Sequence, residues 1–340
     1  MLLVDALHIN NSGGKILLDY LIKSIEESNI EVFYLLDERV RSDYTLLKNN
    51  KTIYLKANFR NRFLFYIKNK NKFNKVLCFG NIPPPVKLNA KTFTYFQQKL
   101  FLSIPKELPF KVKLILFIKS KIVKYLSCNT NFWIVQTKLM KENLLNKFSI
   151  SKTKKVLIYP FYPPLIFPNQ EVVIRKKSCF LYVSTYNTHK NFENLLKGFK
   201  LFYDTHKKGE LHLTLKNDES DIIKEIKNLI SDGYPIFNHG FVNSIRLTCI
   251  YRQSEFIVYP SLIESFGLGI IEGIENGCQV IGADLAYTYA VCKPSITFNP
   301  KDIISISTAL EKTLGSKPIM KTEQLVFNEI ESLINMLKKD

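Results

Sequence analysis

The chain has 340 residues, of which 46% are hydrophobic, a length and composition that allow two packed domains and exclude a fibrous or disordered protein. No run of 18 apolar residues occurs, and the N-terminus lacks the basic start and long apolar core of a signal peptide, so we expect a cytoplasmic protein. The six cysteines are isolated and form no CxxC pair, which favours reduced thiols and argues against structural zinc.

The formal net charge of +18 is concentrated in the first half of the chain. Residues 1–170 hold 28 basic and 10 acidic side chains, whereas residues 171–340 hold 20 of each. Between Asp43 and Glu107 there are thirteen lysines and arginines and no acidic residue. We therefore expect the first half to face an anionic partner.

The first half alternates strand-like apolar runs with helical segments, which predicts a parallel sheet of Rossmann type. Its first strand, LLVDALHI, ends at His8, and the pair Gly13 and Gly14 opens the first helix. The amides of this pair are candidates to bind a phosphate, or the pair forms an ordinary turn that needs no ligand. His8 either faces a ligand or is a buried histidine.

A basic helix is predicted at about Phe110 to Leu126. Apolar residues three or four positions apart indicate that one side of it faces the core, with lysines on the solvated side. The predicted core-facing residues are Leu108, Val112, Ile115, Ile118, Ile122 and Tyr125. Because the helix lies in the charged half, reversible and salt-sensitive docking on an anionic membrane is the alternative interpretation.

Four prolines from Pro160 to Pro168 predict a linker. Beyond it, strands such as SCFLYVST, ELHLTLK and YPIFNHGFV alternate with helical segments, which predicts a second doubly wound domain. Ligands of such folds bind at the carboxyl ends of the strands, and for two such domains this means the cleft between them.

The segment PSLIESFGLGIIEGIENG, Pro260 to Gly277, carries two carboxylates eight positions apart, Glu264 and Glu272. The strand EFIVY ends at Pro260, and a short helix is expected from Phe266 to a left-handed cap at Asn276 and Gly277. If the whole stretch were helical, the two carboxylates would be about 80° apart around the axis with a rise of roughly 12 Å. Such a spacing suits the two ends of one elongated ligand.

An anionic group is expected between the two carboxylates. The unpaired amides near Phe266, Gly267 and Leu268, together with the helix dipole, attract negative charge. Gly267 and Gly269 would let that group approach the backbone closely.

The stretch from Glu264 to Glu272 resembles the Glu-x7-Glu signature of the retaining glycosyltransferases of family 4, which have the GT-B fold. The chain resembles members of the bacterial surface-polysaccharide type. The resemblance implies that Glu272 binds the ribose hydroxyls of a nucleotide sugar. It also implies that Glu264 holds the transferred sugar together with the following backbone amides. Those amides belong to Ser265, Phe266, Gly267 and Leu268.

Lys190 resembles the phosphate-binding lysine of the same family, since it lies between a strand and a helix. Many members also carry an arginine five or six residues earlier, where this chain has Ser184 and Thr185. One cation is therefore missing, and His189 or Lys15 is the candidate substitute. The family usually has a GG loop beside the donor diphosphate, which favours the phosphate interpretation of the glycine pair.

Gln97 occupies the place where family members often have a histidine near the reactive carbon of the sugar. Glutamine cannot act as an acid or base near pH 7, so we expect a polar contact or an anchor for its loop.

The resemblance implies a GT-B architecture of two Rossmann-like doubly wound domains facing across a cleft. Residues 1–160 would form the acceptor-side domain, joined by a crossover helix at about 322–338, and residues 161–321 would bind the nucleotide sugar. The expected reaction moves a hexose, with retention, from a UDP-, GDP- or dTDP-sugar to a growing lipid-linked O-antigen, capsule or lipopolysaccharide glycan. No cofactor or metal is expected, and the enzyme would work at the anionic cytoplasmic face of the inner membrane.

Two other classes stay open at this point. A nucleic-acid-binding protein would account for the basic first half, although no nucleic-acid motif is recognised and the aromatic residues fall in apolar runs. A nucleotide-sugar epimerase on a similar two-domain fold is the enzymatic alternative, which product analysis without an acceptor would separate.

Overall fold

The computed structural model describes residues 1–44, 51–105, 108–148, 155–165, 173–218, 220–315 and 318–339. The chain divides into two compact units, one of residues 1–163 with 327–340 and the other of residues 164–326. Each unit is a Rossmann-like α/β layer structure, as the alternating sequence pattern predicts. Residues 166–170 of the predicted linker lie outside the described residues.

The first unit is built on a seven-stranded parallel sheet of order β3-β2-β1-β4-β5-β6-β7. Its strands β1 and β2 are buried along their whole length, as expected when helices cover both faces of a parallel sheet. The strands are β1 Leu2–Ala6, β2 Val32–Asp37, β3 Lys51–Leu55, β4 Lys75–Cys78, β5 Lys91–Tyr95, β6 Phe132–Val135 and β7 Lys155–Ile158. The helices between them are α1 Ser12–Glu27, α2 Phe59–Lys68, α3 Phe110–Leu126 and α4 Lys138–Phe148.

The second unit is built on a six-stranded parallel sheet of order β10-β9-β8-β11-β12-β14. The strands are β8 Lys176–Tyr182, β9 Glu210–Leu213, β10 Ile236–Asn238, β11 Ser254–Tyr259, β12 Gln279–Ala283, β13 Cys292–Lys293, β14 Ile296–Phe298 and β15 Glu323–Gln324. The helices are α5 Phe192–His206, α6 Asp221–Ser231, α7 Ser244–Gln253, α8 Leu268–Glu275, α9 Ala286–Val291 and α10 Ile303–Glu311. A last helix, α11 Ile330–Lys338, belongs to the first unit.

The last helix begins later than the sequence pattern predicts. It starts at Ile330 rather than at about Thr322, because β15 pairs antiparallel with β13 in the second unit. In the first unit, Lys75 Nζ donates to the carbonyl oxygens of Leu337 and Lys339 at the end of this helix. A buried ammonium at a helix C-terminus satisfies carbonyls that have no intrahelical partner.

Two of the thirteen positive charges expected to face an anionic partner are buried structural groups. Arg62 Nε donates to Asp5 Oδ2 at 2.8 Å, and both side chains are almost fully buried. Its other nitrogens donate to the carbonyl oxygens of Pro83 and Ile82. Arg62 and Lys75 are therefore excluded from the basic surface, which the sequence alone cannot indicate.

The predicted core-facing side of α3 was wrong. Val112, Ile115, Ile118, Ile122 and Tyr125 are all exposed, and only Leu108 of the predicted set packs against the core. The buried side consists of Leu116, Ser120, Val123 and Leu126. Apolar residues surround most of this helix, so their spacing does not select a face. Within the described residues, no helix is long and apolar enough to cross a membrane.

Candidate active site

Two segments that follow adjacent strands bring Lys190 and Glu264 together. The first follows β8 and the second follows β11, and these strands are neighbours in the second sheet. Lys190 Nζ lies 2.5 Å from Glu264 Oε1, with only 16% and 11% of the two side chains exposed. A charge-assisted contact of this length in a largely buried setting holds both groups in defined positions.

The backbone around Lys190 is fixed by several hydrogen bonds. Lys190 lies in a single turn of 3₁₀ helix, and Tyr182 Oη donates to its carbonyl oxygen at 2.9 Å. Leu262 N donates to the carbonyl oxygen of His189 at 2.8 Å, which ties the two loops together. Burial, and then the nearby Glu264 carboxylate, raise the pKa of Tyr182, so this hydroxyl remains a donor at neutral pH.

Asn191 connects the Lys190 turn to α5. Its φ of 60° is left-handed, a conformation that asparagine tolerates better than most residues. Its side-chain amide donates to the carbonyl oxygens of Pro260 at 3.2 Å and Pro300 at 2.7 Å. The residue therefore anchors the Lys190 loop to the Glu264 loop.

Glu264 lies in non-helical backbone before α8, as the sequence predicts. Helix α8 begins at Leu268, and Gly267 before it has a left-handed φ of 75°. The angle and rise expected for a continuous helix between Glu264 and Glu272 therefore do not apply. The turn is supported by Ser261, whose carbonyl oxygen accepts from Tyr287 Oη at 2.7 Å.

Glu272 is a buried carboxyl group inside α8. Its Oε2 atom accepts a hydrogen bond from Tyr251 Oη at 2.9 Å. Burial raises the pKa of Glu272 to about 7, and the Tyr251 hydrogen bond opposes that rise. Near neutral pH, Glu272 is therefore present both as a carboxylate, which only accepts hydrogen bonds, and as a protonated carboxyl group, which also donates one.

The glycines of α8 have different physical roles. A Cβ at Gly273 would lie 2.7 Å from two side-chain atoms of Ile257, so this glycine lets α8 pack closely on β11. A Cβ at Gly269 would meet Tyr259, Val183 and Tyr251, which explains that glycine by packing rather than by ligand approach.

The expected left-handed cap of α8 is confirmed at Gly277. Its φ is 85°, and Cys278 N donates to Gly273 O at 2.9 Å, the pattern of a Schellman motif.

The amide segment predicted to hold the sugar lies directly before and at the start of α8. The Phe266 side chain and Gly267 are buried, and Ser265 and Leu268 are half-buried. The first amides of α8 have no acceptor within the helix and carry the positive end of its dipole. They lie on the same loop as Glu264, as the resemblance implies.

In the first unit, Gly13 and Gly14 lie in the first turn of α1 rather than in a loop before it. A Cβ at Gly14 would lie 3.6 Å from Gln97 Nε2, so these two residues are neighbours, whereas a Cβ at Gly13 would meet no atom within 4 Å. Asn81 Oδ1 accepts from Gln97 N at 2.6 Å and holds the loop after β5. His8 lies beside Gly80, where a Cβ would be 3.5 Å from His8 Cβ.

Neither candidate substitute for the missing cation offers an unpaired positive charge near pH 7. Burial, and then Lys190, lower the pKa of His189, so its imidazole is neutral near pH 7. Lys15 is charged but is already paired, at 2.7 Å from Asp19 and 3.1 Å from Asp43. His8 is neutral for a similar reason, because burial and then Arg62 lower its pKa.

Cys179, Glu210 and His212 lie within 4.8 Å of one another in the described structure. The lateral pairing of β8 with β9 brings Cys179 beside Glu210, a grouping that sequence spacing does not reveal. Lys176 Nζ lies 3.0 Å from Glu210 Oε1. The Glu210 carboxylate therefore already has a cationic partner within the protein.

Sequence reasoning missed the residues that position the predicted ones. Glu272 is hydrogen-bonded by Tyr251, and the backbone of Lys190 by Tyr182. The Glu264 loop is held by Asn191, and the loop of Gln97 by Asn81. The only signal for Asn191 and Asn81 is an asparagine in a loop after a strand, where left-handed backbone is common. The two tyrosines lie in apolar runs that predict core packing alone.

The two Rossmann-like units define a fold of the GT-B class. A sucrose-phosphate synthase from Thermosynechococcus elongatus has this fold with a TM-score of 0.69, at 16% identity, covering 93% of this chain and 90% of that chain. An E. coli trehalose-6-phosphate structure bound with UDP-2-fluoro glucose matches with a TM-score of 0.61 at 12% identity, covering 93% and 91%.

Residues 167–319, which include Lys190, Glu264 and Glu272, match the family described as glycosyl transferases group 1. An O-antigen chain mannosyltransferase from Salmonella typhimurium is 22% identical over 176 residues, which is 51% of this chain and 48% of that protein. The chain spans about half the length of the curated relatives it matches. These likenesses support a glycosyltransferase of GT-B type.

Proposed function

We propose that the protein is a retaining glycosyltransferase that moves a hexose from a nucleotide diphosphate sugar to a growing glycan. The observation that carries the proposal is the ion pair between Lys190 and Glu264 at the carboxyl ends of β8 and β11. In this proposal the ammonium of the pair binds the diphosphate and the carboxylate binds the sugar hydroxyls. The match to glycosyl transferases group 1 over residues 167–319 supports the same chemistry.

The diphosphate of the donor would replace Glu264 as the partner of Lys190. The positive end of α8, which begins at Leu268, lies on the same loop and would stabilise the negative charge that builds up on the departing phosphate. Glu264, released from the ammonium, would accept hydrogen bonds from the transferred sugar. We therefore assign leaving-group stabilisation to Lys190 and sugar positioning to Glu264.

Glu272 would bind the ribose. Its carboxylate form accepts two hydroxyl hydrogen bonds, and the Tyr251 hydroxyl at 2.9 Å orients it. Ser265, Phe266, Gly267 and Leu268 would supply backbone contacts between the ribose and sugar ends, which is the division of roles that the Glu-x7-Glu resemblance implies.

Retention requires attack from the face that the phosphate leaves. In such a front-face displacement the bond from the sugar carbon to the phosphate oxygen breaks, the acceptor oxygen bonds to that carbon, and the acceptor proton passes to the departing phosphate. No protein nucleophile takes part. We assign Gln97, beside Gly14 in the first unit, a polar contact rather than a role as an acid or base.

For the acceptor we propose a lipid-linked glycan of the O-antigen, capsule or lipopolysaccharide type at the cytoplasmic face of the inner membrane. The likeness to an O-antigen chain mannosyltransferase supports a cell-surface glycan. The donor would be a UDP-, GDP- or dTDP-sugar, and neither a metal nor a cofactor is needed for the roles assigned above.

Isothermal titration calorimetry with UDP-, GDP- and dTDP-sugars tests the proposal. We expect one nucleotide to bind, Glu272→Ala to weaken that binding, and Glu264→Ala mainly to slow sugar transfer. If no nucleotide sugar binds the wild-type protein, or if both variants keep wild-type binding and transfer, the assignment fails.

A further inference from the structure

Helix α3 exposes a large apolar surface that nothing in the described structure covers. Phe110 and Tyr125, near its two ends, are 75% and 82% exposed. Single exposed apolar side chains are ordinary, but a contiguous group on one helix marks a contact surface. The exposed apolar residues of α3 are Phe110, Val112, Leu114, Ile115, Phe117, Ile118, Ile122 and Tyr125.

The exposed side of α3 has the pattern of a helix that lies in a membrane interface. Viewed down the helix axis at 100° per residue, an arc of about 160° begins at Phe117, passes Leu114 and Ile118, and ends at Ile115. It lies opposite the buried side of the helix. Lys124 and Lys119 flank this arc, and Lys111 and Lys121 lie within it. The helix has five lysines and no acidic residue.

Helix α2 presents a second surface of the same kind on the same face of the sheet. In the first sheet, Thr94 of β5 pairs with Cys78 of β4 on one side and with Trp133 of β6 on the other. Residues paired in this way across a sheet point to the same face, so these three do. Cys78 belongs to the apolar cluster of Phe65 in α2, and Trp133 to that of Leu116 in α3. The exposed apolar residues of α2 are Phe59, Phe63, Leu64 and Ile67.

The positive charge of α3 favours an anionic lipid surface over a second copy of the chain as the partner of its exposed side. A second copy of the chain would bring five lysines of α3 against five others, which like-charge repulsion opposes. Lys111, Lys119, Lys121 and Lys124 have no ion-pair partner within the part of the chain that the structure describes. Lysines that flank apolar side chains can extend to lipid head groups while those side chains enter the acyl region.

We propose that α3, assisted by α2, inserts its apolar side chains into an anionic lipid bilayer and thereby docks the first unit on the membrane. The proposal rests on the proposed function only for the choice of a membrane as the place of work. It differs from simple electrostatic docking, because insertion of side chains retains part of the binding when salt screens the lysines.

Vesicle co-sedimentation of the full chain tests this surface without any sugar transfer. The vesicles contain phosphatidylglycerol in phosphatidylcholine, or phosphatidylcholine alone. The test variant is Leu114→Gln with Ile118→Gln, and the matched control is Ile245→Gln with Ile304→Gln, two exposed isoleucines of the second unit. A third variant, Lys111→Gln with Lys121→Gln, removes charge from the same arc.

We expect the wild-type chain to bind the anionic vesicles and the Leu114/Ile118 variant to bind about tenfold more weakly, with the control unchanged. At about 1 M NaCl, where the Debye length is about 3 Å, wild-type binding should weaken yet stay above that of the Leu114/Ile118 variant. The lysine variant should lose the preference for anionic over neutral vesicles.

Three results would overturn the proposal. One is the absence of vesicle binding by the wild-type chain, and another is equal binding by the Leu114/Ile118 variant and its control. The third is a lipid-free dimer in sedimentation velocity that the Leu114/Ile118 variant abolishes, since a second copy would then cover the face. Nucleotide-sugar affinity, measured on the same variants, should stay at the wild-type value, which separates a failure of docking from a failure of the proposed function.

Discussion

The ammonium of Lys190 and the carboxylate of Glu264 neutralise each other across 2.5 Å at the ends of two adjacent strands. Each is the other's partner before any ligand arrives. In the proposed binding mode a donor separates the pair and satisfies both charges, with phosphate on the lysine and sugar hydroxyls on the glutamate. This relationship predicts opposite effects for the two neutral variants.

Lys190→Ala should weaken nucleotide diphosphate binding by at least about tenfold, because it removes a charge-assisted contact to phosphate. Glu264→Gln should leave that affinity unchanged or raise it, since the ammonium is then free to meet phosphate. Calorimetry with the nucleoside diphosphate alone measures both, and Lys197→Ala, an exposed lysine of α5, serves as the control. Equal losses in Lys190→Ala and Lys197→Ala would contradict the role given to Lys190.

Donor affinity should depend on pH through Glu272, whose pKa burial raises to about 7. A raised pKa means that the carboxylate needed to accept ribose hydroxyls forms only as pH rises through 7, so affinity should increase by up to about tenfold from pH 6 to pH 8. An intact nucleotide sugar is the ligand to titrate, because its diphosphate has no ionisation in this range.

The Glu272→Gln variant is the control for this pH dependence. Its affinity should be lower but flat with pH. Burial, and then Lys190, lower the pKa of His189, so its titration moves toward the acid end of this range, away from that of Glu272. A wild-type profile that is flat between pH 6 and 8, or a Glu272→Gln profile that still rises, would show that Glu272 does not control ribose binding.

Gly273→Ala should destabilise the second unit by about 1–3 kcal/mol, because the new Cβ would lie 2.7 Å from two atoms of Ile257 and force α8 away from β11. Gly13→Ala is the matched control in another helix, where a Cβ meets nothing within 4 Å. It should be neutral or stabilising by up to about 1 kcal/mol. Urea unfolding measures both, and destabilisation by Gly13→Ala of the same size would refute the packing argument.

Arg62→Met should destabilise the first unit by about 3–5 kcal/mol, since it leaves the buried Asp5 carboxylate without its cation. Arg60→Met, an exposed arginine on the same helix, should change stability by less than about 0.5 kcal/mol. Thermal unfolding of the two variants is the comparison. Similar effects of both would mean that the Asp5 pair contributes little.

The sequence predicts the fold class well because most of the buried parallel strands are short runs rich in apolar residues, separated by helical segments. It misses β3 and α2, in which lysines, asparagines and arginines interrupt the pattern and only Arg62, Phe65 and Tyr66 of α2 are buried. The predicted side of α3 was wrong for a related reason, since a helix that is apolar on most sides gives no periodic signal for its buried face.

In the candidate site, the sequence identifies the chemical groups but not their geometry. The Glu-x7-Glu spacing identifies Glu264 and Glu272, yet it does not predict that Gly267 delays the start of α8 to Leu268. Nor does it predict the Tyr251 hydrogen bond to Glu272, because β11, α7 and α8 meet only in the folded unit. Contacts between distant residues of this kind decide charge and pKa, and single-sequence patterns do not contain them.

The most direct test follows the release of nucleoside diphosphate from UDP-, GDP- and dTDP-sugars in the presence of lipid-linked glycan acceptors, with the anomeric configuration of the product read by NMR. We predict release from one donor, a product of retained configuration, and losses of about 100-fold or more in Lys190→Ala and Glu264→Gln but not in Lys197→Ala. An inverted product, or release that Lys190→Ala and Glu264→Gln leave unchanged, would contradict the assignment of this site.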